Sequence, residues 1–201
     1  RLSFSVDAGS IHGLIGENGA GKSTAMKMLF GLEKPDEGEI SVFGQPIHFS
    51  SATEAMSAGV AMVHQHFMLS ENATALENFL LMRGKTKALA WRKPRKELLE
   101  AQQLSQNYGF EIPWMKPVRE LSVGEQQRLE ILKALSRKGR ILILDEPTAV
   151  LTPSEIKDLF KKLRELKNRG YTVILITHKL KEVLEITDEV TILRQGQVTA
   201  Q

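Results

Sequence analysis

The 201-residue chain has no cysteine, which excludes disulfide bridges and thiolate metal sites. No stretch approaches the ~18 consecutive apolar residues that a membrane-crossing helix requires, so any membrane role is expected to be peripheral. Internal repeats and low-complexity tracts are also missing. Neither sign of charge is in large excess, with 27 Lys and Arg against 24 Asp and Glu and a net charge of +3. One basic run stands out, Arg83, Lys85, Lys87, Arg92, Lys93, Arg95 and Lys96 with no acid among them, and it reads as a solvated helix face, the alternative being contact with phosphates of lipid or nucleic acid. The rest is ordinary globular composition, 42% hydrophobic and 25% charged, with enough chain for one sizeable core. Arg1 opens directly into the alternating run Leu2-Ser3-Phe4-Ser5-Val6, and the last residues stop early in a strand. Both ends are therefore expected to be cut from a longer protein.

Short apolar runs alternate with helical patterns, which points to α/β layering. Strands are expected at Ile11–Ile15, Glu39–Phe43, Val60–Val63, Ile141–Leu144, Thr172–Ile176 and Val190–Leu193. Helices are expected at Thr24–Leu32, Ala75–Leu81, Arg95–Tyr108 with Leu98, Leu99 and Leu104 as its apolar side, Val123–Ser136, Pro153–Asn168 and Leu180–Ile186. Thr152 should cap the helix at Pro153, and Gly170 should stop it. Gly44-Gln45-Pro46 turns the second strand back, which suggests a small antiparallel lobe. The expected organisation is one domain over residues 1–201. Residues 1–70 and 137–201 form the α/β core and lobe, and residues 71–136 form an inserted helical subdomain.

Two features carry chemistry. Gly16-Glu17-Asn18-Gly19-Ala20-Gly21-Lys22-Ser23-Thr24 fits the phosphate-loop pattern G-x-x-x-x-G-K-[ST], with a strand before it and a helix after it. Its glycines let successive amides converge on one anion, and the following helix adds its positive end. Lys22 supplies a charge to the outer phosphates and Ser23 a hydroxyl for Mg²⁺, while Glu17, Asn18 and Ala20 serve through their backbones. The second feature is Ile141-Leu142-Ile143-Leu144-Asp145-Glu146, four aliphatic residues ending in two carboxylates. A buried strand delivers such residues to the carboxyl edge of the sheet, where ligands bind in open α/β folds. Asp145 is the candidate Mg²⁺ ligand, and Glu146 the candidate base for the water attacking the terminal phosphate.

Together with four further pieces, these features resemble the nucleotide-binding subunits of ABC transporters over essentially the whole chain. Leu121-Ser122-Val123-Gly124-Glu125-Gln126-Gln127-Arg128 resembles the family signature LSGGQ, departing from it at Val123 and Glu125. The resemblance implies that Ser122, Gly124 and Glu125 meet an ATP held by a second cassette. Gln65, in Val63-His64-Gln65-His66-Phe67, resembles the glutamine that reaches Mg²⁺ and the attacking water. His178 resembles the switch histidine at the γ-phosphate, whereas His12, His48, His64 and His66 read as core-edge or surface residues. Pro147–Thr152 occupies the D-loop region, with Thr152 where many members carry aspartate. The aromatic residue that the family stacks on adenine would precede Arg1, and Phe4 reads as core.

The signature variant, Met62–Leu69 and Pro147–Pro153 look like the nucleoside and simple-sugar import branch. The resemblance implies a P-loop NTPase fold of the ABC ATPase type, with a mainly parallel sheet, a small antiparallel lobe and a helical insert. It implies ATP and Mg²⁺ as ligands, ATP hydrolysis powering solute import, and a peripheral place on the cytoplasmic face of the membrane. The implied partners are integral membrane permease subunits, a second cassette and an extracytoplasmic solute-binding protein, with no nucleic acid expected. The alternative is a soluble ABC-family ATPase acting on ribosomes or nucleic acid, which the basic run would serve.

Overall fold

A computed structural model describes residues 2–82, 95–137 and 139–201. Of the basic run, only Arg95 and Lys96 fall among the described residues; Arg83, Lys85, Lys87, Arg92 and Lys93 lie outside them. The chain first forms β1 (Ile11–Gly16), α1 (Lys22–Leu29), β2 (Ile40–Val42), β3 (Gln45–Ile47), α2 (Ala52–Ser57) and β4 (Val60–Val63). A helical stretch follows, with α3 (Ala75–Met82), α4 (Arg95–Tyr108), a 3-10 turn at Val118–Glu120 and α5 (Val123–Leu135). Strand and helix then alternate through β5 (Ile141–Asp145), α6 (Pro153–Asn168), β6 (Thr172–Thr177), α7 (Leu180–Ile186), β7 (Glu189–Arg194) and β8 (Gln197–Ala200).

Among the described residues, six strands make one sheet in the order β4-β5-β6-β1-β7-β8, parallel except for the β7–β8 edge hairpin. β2 and β3 pair antiparallel as a separate lobe. The central strands are apolar on both faces because helices cover both. Ala61, Val63, Leu142, Leu144, Val173 and Leu175 point into one hydrophobic cluster. Their neighbours Val60, Met62, Ile143, Ile174 and Ile176 point into the other, as the two-residue period of a strand dictates. α1 and α2 close this second cluster with Ala25, Met26 and Ala55. The first receives Leu159, Phe160 and Leu163 of α6 and runs without a break into Leu76 and Phe79 of α3 and Leu129 and Leu132 of α5.

Local chemistry fixes the helix starts. α6 begins with a reciprocal capping box between Thr152 and Glu155 and with Pro153 inside its first turn. Its buried residues Leu159, Phe160, Leu163 and Leu166 recur at helical spacing. α3 begins similarly, the Thr74 amide donating to Glu77 Oε2 at 2.7 Å and the Glu77 amide to Thr74 Oγ1 at 3.2 Å.

Three expectations are corrected. α1 starts two residues before Thr24 and ends at Leu29, not Leu32. The Leu32 amide bonds the Lys27 carbonyl at 2.8 Å across Gly31, a Schellman-type closure that leaves Leu32 outside the helix. The β2–β3 turn is Phe43–Gly44, both left-handed, whereas Gln45 and Pro46 already lie in β3. In α4, Leu98 and Leu104 pack on the core, but Leu99 is exposed and Ala101 and Ser105 take the buried positions.

Candidate functional site

β1 lies in the middle of the sheet, between β6 and β7, and hands the chain to the phosphate loop at Gly16. A Cβ on Gly16 would collide with the Leu193 carbonyl oxygen of β7, so only glycine lets the loop start this close to the neighbouring strand. The Gly196 amide from the β7–β8 turn donates to the Ala20 carbonyl at 3.0 Å and supports the loop from behind. Gly21, at φ 97, is the N-cap of α1; it offers no side-chain cap, and the first turn carries no acid. The opening amides of α1 thus keep their capacity for an anion. Lys22 is buried, its Nζ donating to the Gly16 and Glu17 carbonyls at 2.8 and 2.9 Å. An ammonium has three N–H donors, so one stays free among the described residues while two hold it in the loop. Glu17, Asn18, Gly19 and Thr24 are exposed around it, Ser23 is half-buried and Ala20 is buried.

Asp145 ends β5, and Glu146 follows beside it. Burial pushes the Asp145 carboxyl above its ordinary range; the neighbouring Ser23 hydroxyl opposes that shift, Glu146 adds to it, and His64 and Lys22 oppose it. A hydroxyl beside a buried carboxylate is an oxygen pair suited to Mg²⁺. Glu146 has a left-handed backbone at φ 49, pinned by its amide bonding the Ile176 carbonyl at 2.9 Å. Its Oε1 lies 2.7 Å from His178 Nδ1, while its Oε2 is buried with no partner among the described residues. The loop that follows is anchored through Thr148, whose hydroxyl donates to Glu182 at 2.6 Å and whose carbonyl accepts from Lys179 at 3.0 Å.

The structure therefore groups Lys22, Ser23, Asp145, Glu146 and His178 at one sheet edge. Gln65 is exposed two residues past β4 and leaves the sheet at the same edge, since Val63 pairs with Leu144. Ser122, Gly124 and Glu125 are placed elsewhere, at the start of α5 against α6, and share no hydrogen bond with the phosphate loop among the described residues. Glu125 turns back on its own helix start, accepting the Ser122 amide at 2.7 Å. Thr152 accepts the Glu155 amide and caps α6 as expected. His48 and His66 are at the surface and His64 is half-buried. His12 is buried outright, with Nε2 2.8 Å from Thr191 Oγ1.

Sequence reasoning missed Glu130 and Lys133. On α5 they form a buried pair at 3.0 Å and grip the backbone of Met68, three residues after Gln65. Glu130 accepts the Met68 amide at 3.0 Å, and Lys133 donates to its carbonyl at 3.1 Å. Two charges three apart among Leu129, Ile131 and Leu132 were the available signal.

The sequence model of the ABC transporter family matches residues 1–149. The chain belongs to the ABC transporter family. The nucleoside import ATP-binding protein NupA of Lactococcus lactis subsp. cremoris is 45% identical over 199 residues, covering 98% of this cassette and 39% of that protein. The ribose import ATP-binding protein RbsA of Hahella chejuensis is 44% identical over 196 residues, again covering 98% and 39%. The cassette thus spans about two-fifths of the length of these relatives. A nucleotide-free ATP-binding cassette from an ABC transporter superposes with a TM-score of 0.86 at 27% identity, over 99% of this cassette and 82% of that one. ATP and Mg²⁺ are the ligands that this fold and its phosphate loop take. No helix among the described residues is long and apolar enough to cross a membrane.

Proposed function

We propose that this cassette hydrolyses ATP to power import of a small solute, a nucleoside or a sugar. The observation that carries the ATPase reading is the grouping at one edge of an uncapped helix start, a buried lysine, the Ser23–Asp145 oxygen pair and a glutamate with one oxygen unpartnered among the described residues. The cargo class is supported by the relatives' names, nucleoside import for NupA and ribose import for RbsA.

In this reading the amides of Gly16–Thr24 cradle the phosphates, and the free N–H of Lys22 meets the outer ones. Ser23, Asp145 and Gln65 hold Mg²⁺, which supplies neutralising charge at the phosphate oxygens. Glu146 Oε2 takes a proton from water as the water oxygen bonds to the γ-phosphorus. The bond from that phosphorus to its bridging oxygen breaks, releasing ADP and phosphate. His178 holds Glu146 through Nδ1 and turns its other ring nitrogen to the γ-phosphate. Ser122 and Gly124, with Glu125 steadying the Ser122 amide, receive the ATP of a second cassette. Residues 71–136 act as a helical subdomain on the core of 1–70 and 137–201. The partners are integral membrane permease subunits at the cytoplasmic face, that second cassette and an extracytoplasmic solute-binding protein.

Purification of the tagged full-length protein from detergent-solubilised membranes tests the transport reading. A multi-span membrane protein recovered in near-equal amount is the expected outcome. Recovery only with ribosomes or nucleic acid would remove the transport reading and leave the ATP chemistry standing.

A further inference from the structure

We infer that Glu155, in the first turn of α6, is an intramolecular competitor for the anion site at the start of α5, so that a facing ATP must displace it before two cassettes close. The inference rests on the reading of Ser122 and Gly124 as the receiver of a second cassette's ATP.

The two carboxylate oxygens of Glu155 do different work. Oε2 accepts from the Thr152 amide at 2.9 Å and its hydroxyl at 2.8 Å and caps α6. Oε1 is turned toward Gly124: a Cβ on that glycine would overlap it and stand 2.8 Å from Glu155 Cδ. The Thr152 amide and hydroxyl lead in holding the Glu155 carboxyl below its ordinary range, and the Gly124 amide adds to them. A carboxylate from α6 thus lies against Gly124, whose amide an incoming phosphate would need, while Glu125 takes the Ser122 amide. The start of α1 has neither a side-chain cap nor a first-turn acid. Of these two helix starts, one is open to an anion and the other already carries two carboxylates.

Glu155 also has somewhere to go. A cavity of about 250 Å³ between α5 and α6 is lined by Gly124, Gln127, Arg128, Glu155 and Asp158 among others. Gln127 Nε2 and Arg128 Nε are buried there with no partner among the described residues, and the Arg128 charge already acts on Glu155. A phosphate and a carboxylate repel each other at one amide, so arrival of the facing ATP sends Oε1 toward these donors. The cost of that exchange enters the ATP concentration needed for closure.

Glu155→Gln in the full-length protein tests this. Glutamine keeps an acceptor for Thr152, and with it the α6 cap, but loses the charge that competes at Gly124. Because a charge-assisted hydrogen bond is roughly twice as strong as a neutral one, half-saturating ATP for hydrolysis is expected to fall about threefold or more, with no fall in kcat. Glu155→Ala should show the same fall together with a lower Tm, which separates competition from capping. Ser122→Ala, measured alongside, is expected to bind MgATP but lose turnover. Normal turnover in Ser122→Ala overturns the signature reading and this inference with it. A half-saturation unchanged or raised in Glu155→Gln, with Ser122→Ala inactive, overturns the role of Glu155 alone.

Discussion

Glu146 joins a left-handed backbone on a residue with a Cβ to a buried carboxylate oxygen that has no partner among the described residues. The first costs on the order of 1–3 kcal/mol and persists only where surrounding bonds impose it; here the Ile176 carbonyl and His178 do so. Glu146→Gln keeps the shape and removes the base, so MgATP binding should survive while turnover falls by about 10²–10⁴-fold; undiminished turnover would take Glu146 out of the reaction. Asp145 makes the opposite case. Burial raises its carboxyl pKa, so any stability it gives is full below the ordinary carboxyl range and is lost as pH rises through the raised value. Asp145→Asn should therefore raise the Tm of the nucleotide-free protein at pH 7, by about 2–4 °C for each kcal/mol relieved, and the gain should vanish below pH ~4. Calorimetry at both pH values checks this, and an unchanged Tm at pH 7 would count against it. The same carboxylate that weakens the empty fold is the proposed Mg²⁺ ligand, a trade of stability for function.

At the scale of elements, the helix starts separate by chemistry. α3, α5 and α6 begin with reciprocal Ser/Thr–Glu caps, whereas α1 begins at a bare glycine. Of that contrast, the Thr152 cap and the bare Gly21-Lys22 start were legible in the sequence, and the Thr74–Glu77 and Ser122–Glu125 pairs repeat the Thr152–Glu155 spacing. The Glu130–Lys133 grip on Met68 was not, because a pair three apart on a helix does not say what it holds. It ties α5 to the segment that follows Gln65. Lys133→Met should cost about 3–5 kcal/mol by stranding a buried carboxylate. Adding Glu130→Gln, which keeps an acceptor for the Met68 amide, should recover more than half of that loss. Urea unfolding of the two variants decides it; a double variant no more stable than the single one would mean that the charge was not the problem.

Across the whole molecule, strand order does the joining. Placing β1 between β6 and β7 brings Asp188 to the Ile11 amide at 2.7 Å, across 177 residues of sequence, with Lys167 paired to the same carboxylate. Burial raises the Asp188 pKa, but the Ile11 amide and Lys167 outweigh it and the net shift is downward. Its contribution is therefore present above the ordinary carboxyl range and is lost as pH falls through the lowered value. Asp188→Ala leaves the Ile11 amide without its partner and should cost about 1–3 kcal/mol at pH 7. The gap from the parent protein should narrow toward pH 3, and a gap that stays constant with pH would show that the charge contributes nothing.

By itself the sequence determined the α/β class, the phosphate loop, the acidic end of β5 and the bounds of α4, α6 and α7. Each of these is written in neighbouring residues, as a glycine pattern, an apolar run or a cap, and strand and helix periods are local properties. Only the tertiary structure decided that Leu193 and Gly196 back the phosphate loop, that Glu146 meets His178 and that Glu155 lies at Gly124. These contacts join residues on different strands and helices. What sets them is the order of β4-β5-β6-β1-β7-β8 and the packing of α5 on α6, and no local pattern encodes which distant side chain will fill the space that this packing leaves.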